Sequence, residues 1–218
     1  MRVAIAGGHG QIARLLGRRL ARRGDTALGL IRNPDHAADL RVDGIEPVLA
    51  DLEHTDAATL ADRIAGSDAA VFAAGAGPGR GVPRKDTVDR AASGLLADAC
   101  ERAGVRRIIQ ISAMGTARPN PADVGEVFGA YLDAKRAAEA DLRARDLDWT
   151  ILRPGLLTDD APTGRVTIAE SVPRAEVTRA DVAAVLVALL DAPGAAQHTL
   201  EMVNGDTPID EAVRSALA

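Results

Sequence analysis

The sequence predicts an α/β fold, a doubly wound parallel sheet with helices on both faces, and three observations carry that expectation. Short apolar runs alternate almost strictly with stretches of helical periodicity along the chain. The opening run Val3-Ala4-Ile5-Ala6 stops at Gly7-Gly8 and gives way within three residues to a helical pattern, which reads as strand, tight turn, helix. The ends of successive strand-like runs fall at Gly7, Arg32, Asp51, Ala74-Gly75, Ser112 and Pro154-Gly155. An open α/β sheet places its ligand crevice beyond those ends.

Taken in order, the first strand leads to a helix over Gln11 to Arg23, and Thr26 to Ile31 is the second strand, left through Arg32-Asn33-Pro34. Ile45 to Ala50 is a third strand, and a helix over Thr55 to Ala65 stops at Gly66. Asp68 to Ala74 is a buried fourth strand, closed by Gly75-Ala76-Gly77-Pro78-Gly79. A long helix from Pro83 to Ala103 precedes strand five, Arg107 to Ser112. A loop with Pro119 and Pro121 feeds a helix over Val124 to Arg145, followed by strand six, Trp149 to Arg153. Then come a β-like Arg165 to Ala169, an apolar helix over Arg179 to Asp191, a strand over His198 to Val203 and a helix over Ile209 to Leu217. Without an internal repeat or a low-complexity linker, residues 1–218 read as one domain, with a small substrate-covering region near 155–178.

Composition narrows the class. A hydrophobic share of 47% in 218 residues allows a full core, yet no run approaches the roughly 20 apolar residues of a membrane span. No basic segment followed by an apolar block opens the chain, so a secretory signal is not expected and the cytoplasm is the default. A net charge of −5 with interspersed signs gives no electrostatic case for nucleic acid. The lone Cys100 excludes an intrachain disulfide and a cysteine zinc site, and the scattered histidines show no metal spacing. The expected partner is a small-molecule substrate, with no membrane role, in a monomer or homodimer.

The residues that carry chemistry begin at the first turn. Gly7-x-x-Gly10-x-x-Ala13 lets the backbone turn sharply and approach a pyrophosphate, while the N-terminus of the following helix offers unpaired N–H groups and the positive dipole end. His9, inside the turn, is expected to line that pyrophosphate site. An NAD enzyme would place Asp or Glu at the end of strand two; this chain has Arg32, which suits the 2′-phosphate of NADP(H), so NAD(H) is the less expected cofactor. Asp51-Leu52 can hold the adenine edge. Tyr131 and Lys135 stand four apart on one helix face, and they are the sole tyrosine and one of two lysines. An ammonium beside a phenol lowers its pKa and makes it a usable acid or base. Ser112, at the end of strand five, can face the same crevice and hydrogen-bond a substrate carbonyl, or cap local backbone. Neither a Gly-x-Ser-x-Gly elbow nor a lysine-bearing phosphate loop is present.

Together these pieces resemble an atypical short-chain dehydrogenase/reductase of the NAD(P)H-binding, NmrA-like group, whose fold is a Rossmann-type sheet. The resemblance covers nearly the whole chain and runs through Gly7-Gly8-His9-Gly10-Gln11-Ile12, Ile31-Arg32-Asn33-Pro34, Asp51-Leu52, Ala73-Ala74-Gly75, Val105-Arg106-Arg107-Ile108, Tyr131-Leu132-Asp133-Ala134-Lys135-Arg136-Ala137-Ala138-Glu139, Leu152-Arg153-Pro154-Gly155 and Thr178-Arg179-Ala180-Asp181-Val182-Ala183. It implies NADP(H) on Gly7, His9, Gly10, Gln11 and Ile12, with Arg32 at the 2′-phosphate, Asp51 and Leu52 at the adenine, Ala74 and Gly75 under the ribose, and Pro154 near the nicotinamide. Ala13 replaces the last glycine of the fingerprint, and Asp89 looks like this group's substitute for the active-site asparagine of standard members.

The implied activity is an NADP(H)-dependent oxidoreductase or epimerase-like enzyme acting on a small carbonyl or hydroxyl compound. Tyr131 is the expected acid/base, Lys135 lowers its pKa and holds the ribose, and Ser112 orients the substrate. The alternatives are a redox sensor that binds NADP(H) without chemistry and a flavin or quinone reductase.

Overall fold

A computed structural model describes residues 1–75, 85–120 and 125–218. Gly77-Pro78-Gly79 of the glycine-rich loop, the Pro83 start of the long helix, and Pro121 and Val124 lie outside the described residues. Eleven strands are present among those described: β1 (Arg2–Ala6), β2 (Thr26–Ile31), β3 (Glu46–Leu49), β4 (Ala69–Phe72), β5 (Arg107–Ile111), β6 (Asp148–Pro154), β7 (Leu156–Thr158), β8 (Arg165–Ala169), β9 (Glu176–Thr178), β10 (His198–Asn204) and β11 (Thr207–Pro208). The α-helices among the described residues are α1 (Gln11–Arg22), α2 (Ala37–Val42), α3 (Ala57–Ile64), α4 (Ala92–Ala103), α5 (Glu126–Arg143), α6 (Arg179–Leu190) and α7 (Ile209–Ala216).

The main sheet has the order β11-β8-β10-β6-β5-β4-β1-β2-β3. Pairing is parallel from β3 through β10, and the order reverses at β1, between β2 and β4. Alternate residues of each strand feed two cores. Val3 and Ile5 of β1 pack with Leu16 and Leu20 of α1 and Val182, Leu186 and Leu189 of α6 on one face. Ala4 and Ala6 face Leu60 and Ile64 of α3 and Leu96 and Cys100 of α4 on the other. The apolar α6 is buried within this chain's own core, against α1, α7 and the sheet.

The structure departs from the expected all-parallel sheet at one edge, where β8 runs antiparallel to β10 and β11 antiparallel to β8. No helix lies between β6 and β8. A parallel return needs a crossover, usually helical, so without one the chain turns back on itself. Three further features were not anticipated. The exit of β2 winds into a short 3₁₀ turn (Pro34–His36), capped by Asn33 Oδ1 accepting from the Asp35 N–H, and continues as α2. The long fourth helix opens with a wide π turn, Lys85–Ala91, before becoming regular. In the 155–178 region, β7 and β9 pair in parallel as a separate small sheet.

Candidate active site

The first turn is pinched between the two neighbours of β1. Gly7 has φ +77°, and a Cβ there would stand 2.7 Å from Ala74 Cα at the end of β4; a Cβ on Gly8 would stand 2.6 Å from Gly29 Cα in β2. Both clashes are with backbone, so glycine is required for the turn to tuck into the sheet. The Gly8 N–H donates to Leu30 O on β2 at 2.9 Å and the Gly10 N–H to Gly7 O within the turn at 2.8 Å, so both amides are already engaged. The ladder of α1 opens with Arg14 N–H on Gly10 O, and its N-cap, Gly10, supplies no capping side chain. The first-turn amides of α1 are therefore the ones available to an anion.

Beyond the strand ends lies an open cleft of about 360 Å³, lined by Gly7, His9, Gly10, Arg32, Asp51, Leu52, Ala74 and Gly75, all expected from the sequence. Its remaining lining includes Leu30, Ile31, Asn33, His36, Ala50, Glu53, Ala73, Val88 and Ala92. His36 was not expected here; it reaches the cleft because the chain winds into the Pro34–His36 turn directly after β2. Its ring stacks on His9 with centroids 3.7 Å apart and planes 11° from parallel, while His9 Nε2 lies 2.8 Å from Asp39 Oδ2. Arg32 Nη1 donates to Glu53 Oε2 at 2.7 Å. Both Asp51 oxygens are engaged by its own turn, Oδ1 accepting from the Glu53 N–H at 3.0 Å and Oδ2 lying 2.9 Å from His54 Nδ1. Burial pushes the Asp51 carboxyl up, but the bonds from His54 and Glu53 outweigh it and hold it below the usual carboxylate range.

Other expected cofactor residues are not in the lining of this cleft. Gln11 faces a second groove between α1 and the loop after β7, its Nε2 3.4 Å from Asp159 Oδ1. Ile12 packs partly buried against the core. Pro154 is buried at the end of β6, where its carbonyl accepts from the Met114 N–H at 3.2 Å.

The catalytic candidates gather over the ends of β4 and β5. Asp89, fully buried on the π turn, lies so close under the cleft that a Cβ on Gly75 would be 3.3 Å from its Oδ1. That same oxygen is 3.3 Å from Lys135 Nζ, and Nζ donates to Ile111 O at 3.1 Å. Lys135 Nζ stands 5.9 Å from the centre of the Tyr131 ring and 5.5 Å from that of Phe72. The expected lowering of the Tyr131 pKa is overturned. Burial first, and the Asp89 carboxylate second, push the phenol up to about 12. The lysine at the right spacing is bound to a carboxylate, and the buried site penalises a phenolate.

Ser112 is also placed differently from expectation. Its hydroxyl donates to Glu139 Oε1 at 2.6 Å in a buried network. The same oxygen accepts from Thr116 Oγ1 at 2.8 Å and Arg153 Nε at 2.9 Å, while Oε2 takes Arg153 Nη2 at 2.5 Å and Arg143 Nη2 at 3.0 Å. Burial alone would raise the Glu139 carboxyl, but these partners, Arg153 foremost, hold it below its ordinary range. The signal for this network was present in the sequence, since Arg153 interrupts the apolar end of β6 and a charge buried there must be paired.

A reversal of strand order at β1, a glycine turn feeding α1 there and an open cleft beyond the strand ends define a Rossmann-type nucleotide-binding protein. More particularly, the chain belongs to the NAD(P)H-binding family, whose model matches residues 7–193. It is 33% identical to YhfK of Bacillus subtilis, named an uncharacterized sugar epimerase, over 98% of this chain and 99% of that one. Among solved structures, a Bacillus halodurans protein with the provisional name of NAD-dependent epimerase/dehydratase superposes with a TM-score of 0.91 at 34% identity, covering 99% of both chains. The anaerobillin reductase ChuY from Escherichia coli gives 0.80 at 25% identity, over 94% of this chain and 98% of its own. Short-chain dehydrogenase/reductases share the fold, one from Veillonella parvula in complex with NADP at a TM-score of 0.73 and 17% identity, over 96% of this chain and 97% of its own. The sequence-level resemblance and the fold class both stand.

Proposed function

We propose that the protein is an NADPH-dependent reductase of a small carbonyl compound. The observation that carries this reading is the half-buried Tyr131 beside the buried Lys135–Asp89 pair, at the ends of β4 and β5. The family match supports a nicotinamide cofactor, and Arg32 in the lining at the end of β2 supports the 2′-phosphorylated form. Gly7, Gly10 and the first turn of α1 would hold the pyrophosphate, Leu52 and the Asp51 backbone the adenosine, and Ala74 and Gly75 the ribose.

Bound NADPH would supply the hydride. Tyr131 would give its phenolic proton to the oxygen of the carbonyl being reduced, and solvent would return a proton to the phenolate. A nascent alkoxide is a far stronger base than a phenolate, so a phenol titrating at about 12 still gives up its proton. The same phenol is a poor base at neutral pH. This favours reduction over an epimerase-like cycle, in which Tyr131 would have to take a proton as well as give one. The ChuY name agrees with a reductase; the YhfK name points to the epimerase-like alternative.

The test is Tyr131→Phe assayed against a panel of carbonyls, quinones and flavins with NADPH oxidation as readout. The expected outcome is carbonyl reduction lowered by about 10²- to 10⁴-fold with NADPH affinity kept. Undiminished turnover on flavins or quinones would instead assign open-pocket hydride transfer with Tyr131 a bystander. NADPH binding with no turnover on any class would favour the sensor.

A further inference from the structure

We propose that Glu53 sets the discrimination between NADPH and NADH, by holding the guanidinium that a 2′-phosphate requires. The proposal rests on the reading of Arg32 as the 2′-phosphate residue and goes beyond it. Arg32 stands at the end of β2, where a ribose 2′ substituent is met, and its side chain is 53% exposed. In the ligand-free cleft it donates to Glu53 Oε2 at 2.7 Å. Glu53 is also held from the π turn, where Thr87 Oγ1 donates to Glu53 Oε1 at 2.9 Å. Oε2 of the carboxylate therefore accepts from Arg32 and Oε1 from Thr87. Glu53 lines the same cleft as Arg32, with its side chain only 18% exposed.

A 2′-phosphate entering here meets a cation already partnered and a carboxylate of its own sign. To engage Arg32 it must share or displace Glu53, and it does so against like-charge repulsion. A 2′-hydroxyl has no such conflict, because a carboxylate accepts its hydrogen bond. Glu53 thus offsets part of the NADP(H) preference that Arg32 alone confers. The wild-type site is expected to accept both cofactors with a shallow preference, tuned by one carboxylate.

The experiment is a fluorescence titration of NADPH and NADH on the full chain and its variants Glu53→Gln, Thr87→Val, Arg32→Gln and Glu46→Gln. Glu46, at the far end of β3 and 3.8 Å from Arg2, controls for loss of one negative charge. Removing the Glu53 charge is expected to raise the NADH-to-NADPH Kd ratio about three- to fivefold, the scale of an exposed ion pair. Thr87→Val should move it less and in the same direction, Arg32→Gln should move it the opposite way, and Glu46→Gln should leave it unchanged. The proposal is overturned if Glu53→Gln leaves the ratio within measurement error, or shifts both cofactors equally, since Glu53 would then merely strap the adenosine common to both. If Arg32→Gln leaves the ratio untouched while both cofactors bind, the Arg32 assignment fails and the proposal falls with it. If the wild type binds neither, the cofactor reading itself has failed.

Discussion

At the scale of single residues, Tyr131 shows how far a correct spacing can mislead about chemistry. The i,i+4 relation to Lys135 is real, but Asp89 arrives from the π turn and claims the ammonium, so the phenol is governed by burial. Because Tyr131 is the only tyrosine, its ionisation is directly readable by ultraviolet absorbance. The expected midpoint is about 12 in the folded protein, against about 10 after unfolding. A folded-state midpoint at 10 would contradict the burial argument. The sign of the linkage follows. Stability associated with the neutral phenol is complete below about pH 10 and is lost as pH rises toward 12. Cys100 behaves alike for the same reason, since burial lifts its thiol to about 12 and leaves it an inert core side chain.

At the scale of elements, Glu139 joins α5 to β6 and to the loop after β5 through Arg153, Ser112 and Thr116. Removing one partner of a buried ion pair strands the other, so Glu139→Gln should cost about 3–5 kcal/mol in urea unfolding at pH 7. Since its folded pKa is depressed, the stabilisation is present above the unfolded value near 4.3 and is lost as pH falls through the folded one. The variant should therefore show a flatter decline of stability below pH 5 than the wild type. An equal decline would place the acid sensitivity elsewhere. The periodicity of α5 and the apolar run of β6 were both legible in the sequence. That they face each other through a carboxylate and a guanidinium was not, because helical and strand periods say which face is buried and nothing of what it meets.

At the scale of the whole molecule, the cleft exists only because the ends of β1, β2, β3 and β4 and the π turn converge on one side of the sheet. A ligand that bridges them binds the folded chain alone. NADPH at about a hundred times its Kd should add about 2.7 kcal/mol to stability, and for a chain of this length raise Tm by roughly 5–10 °C. Scanning with NADPH, and with NADP and adenosine as comparators, checks this. No shift at saturating cofactor would count against the cleft as the binding site.

What the sequence determined by itself is the alternation of strand and helix, the glycine turn at residues 7–10, and the strand-end positions Arg32, Asp51, Gly75 and Ser112. All of these follow from local rules, namely side-chain periodicity, the need for a residue without a Cβ where backbones touch, and the single polar side to which parallel strands point. The tertiary structure alone decided the antiparallel edge and the partners of the charged groups, pairing Arg32 with Glu53, Lys135 with Asp89, and Ser112 with Glu139. Those pairs lie 21, 46 and 27 positions apart along the chain. A charge takes whichever opposite charge the fold delivers, and no local rule names it.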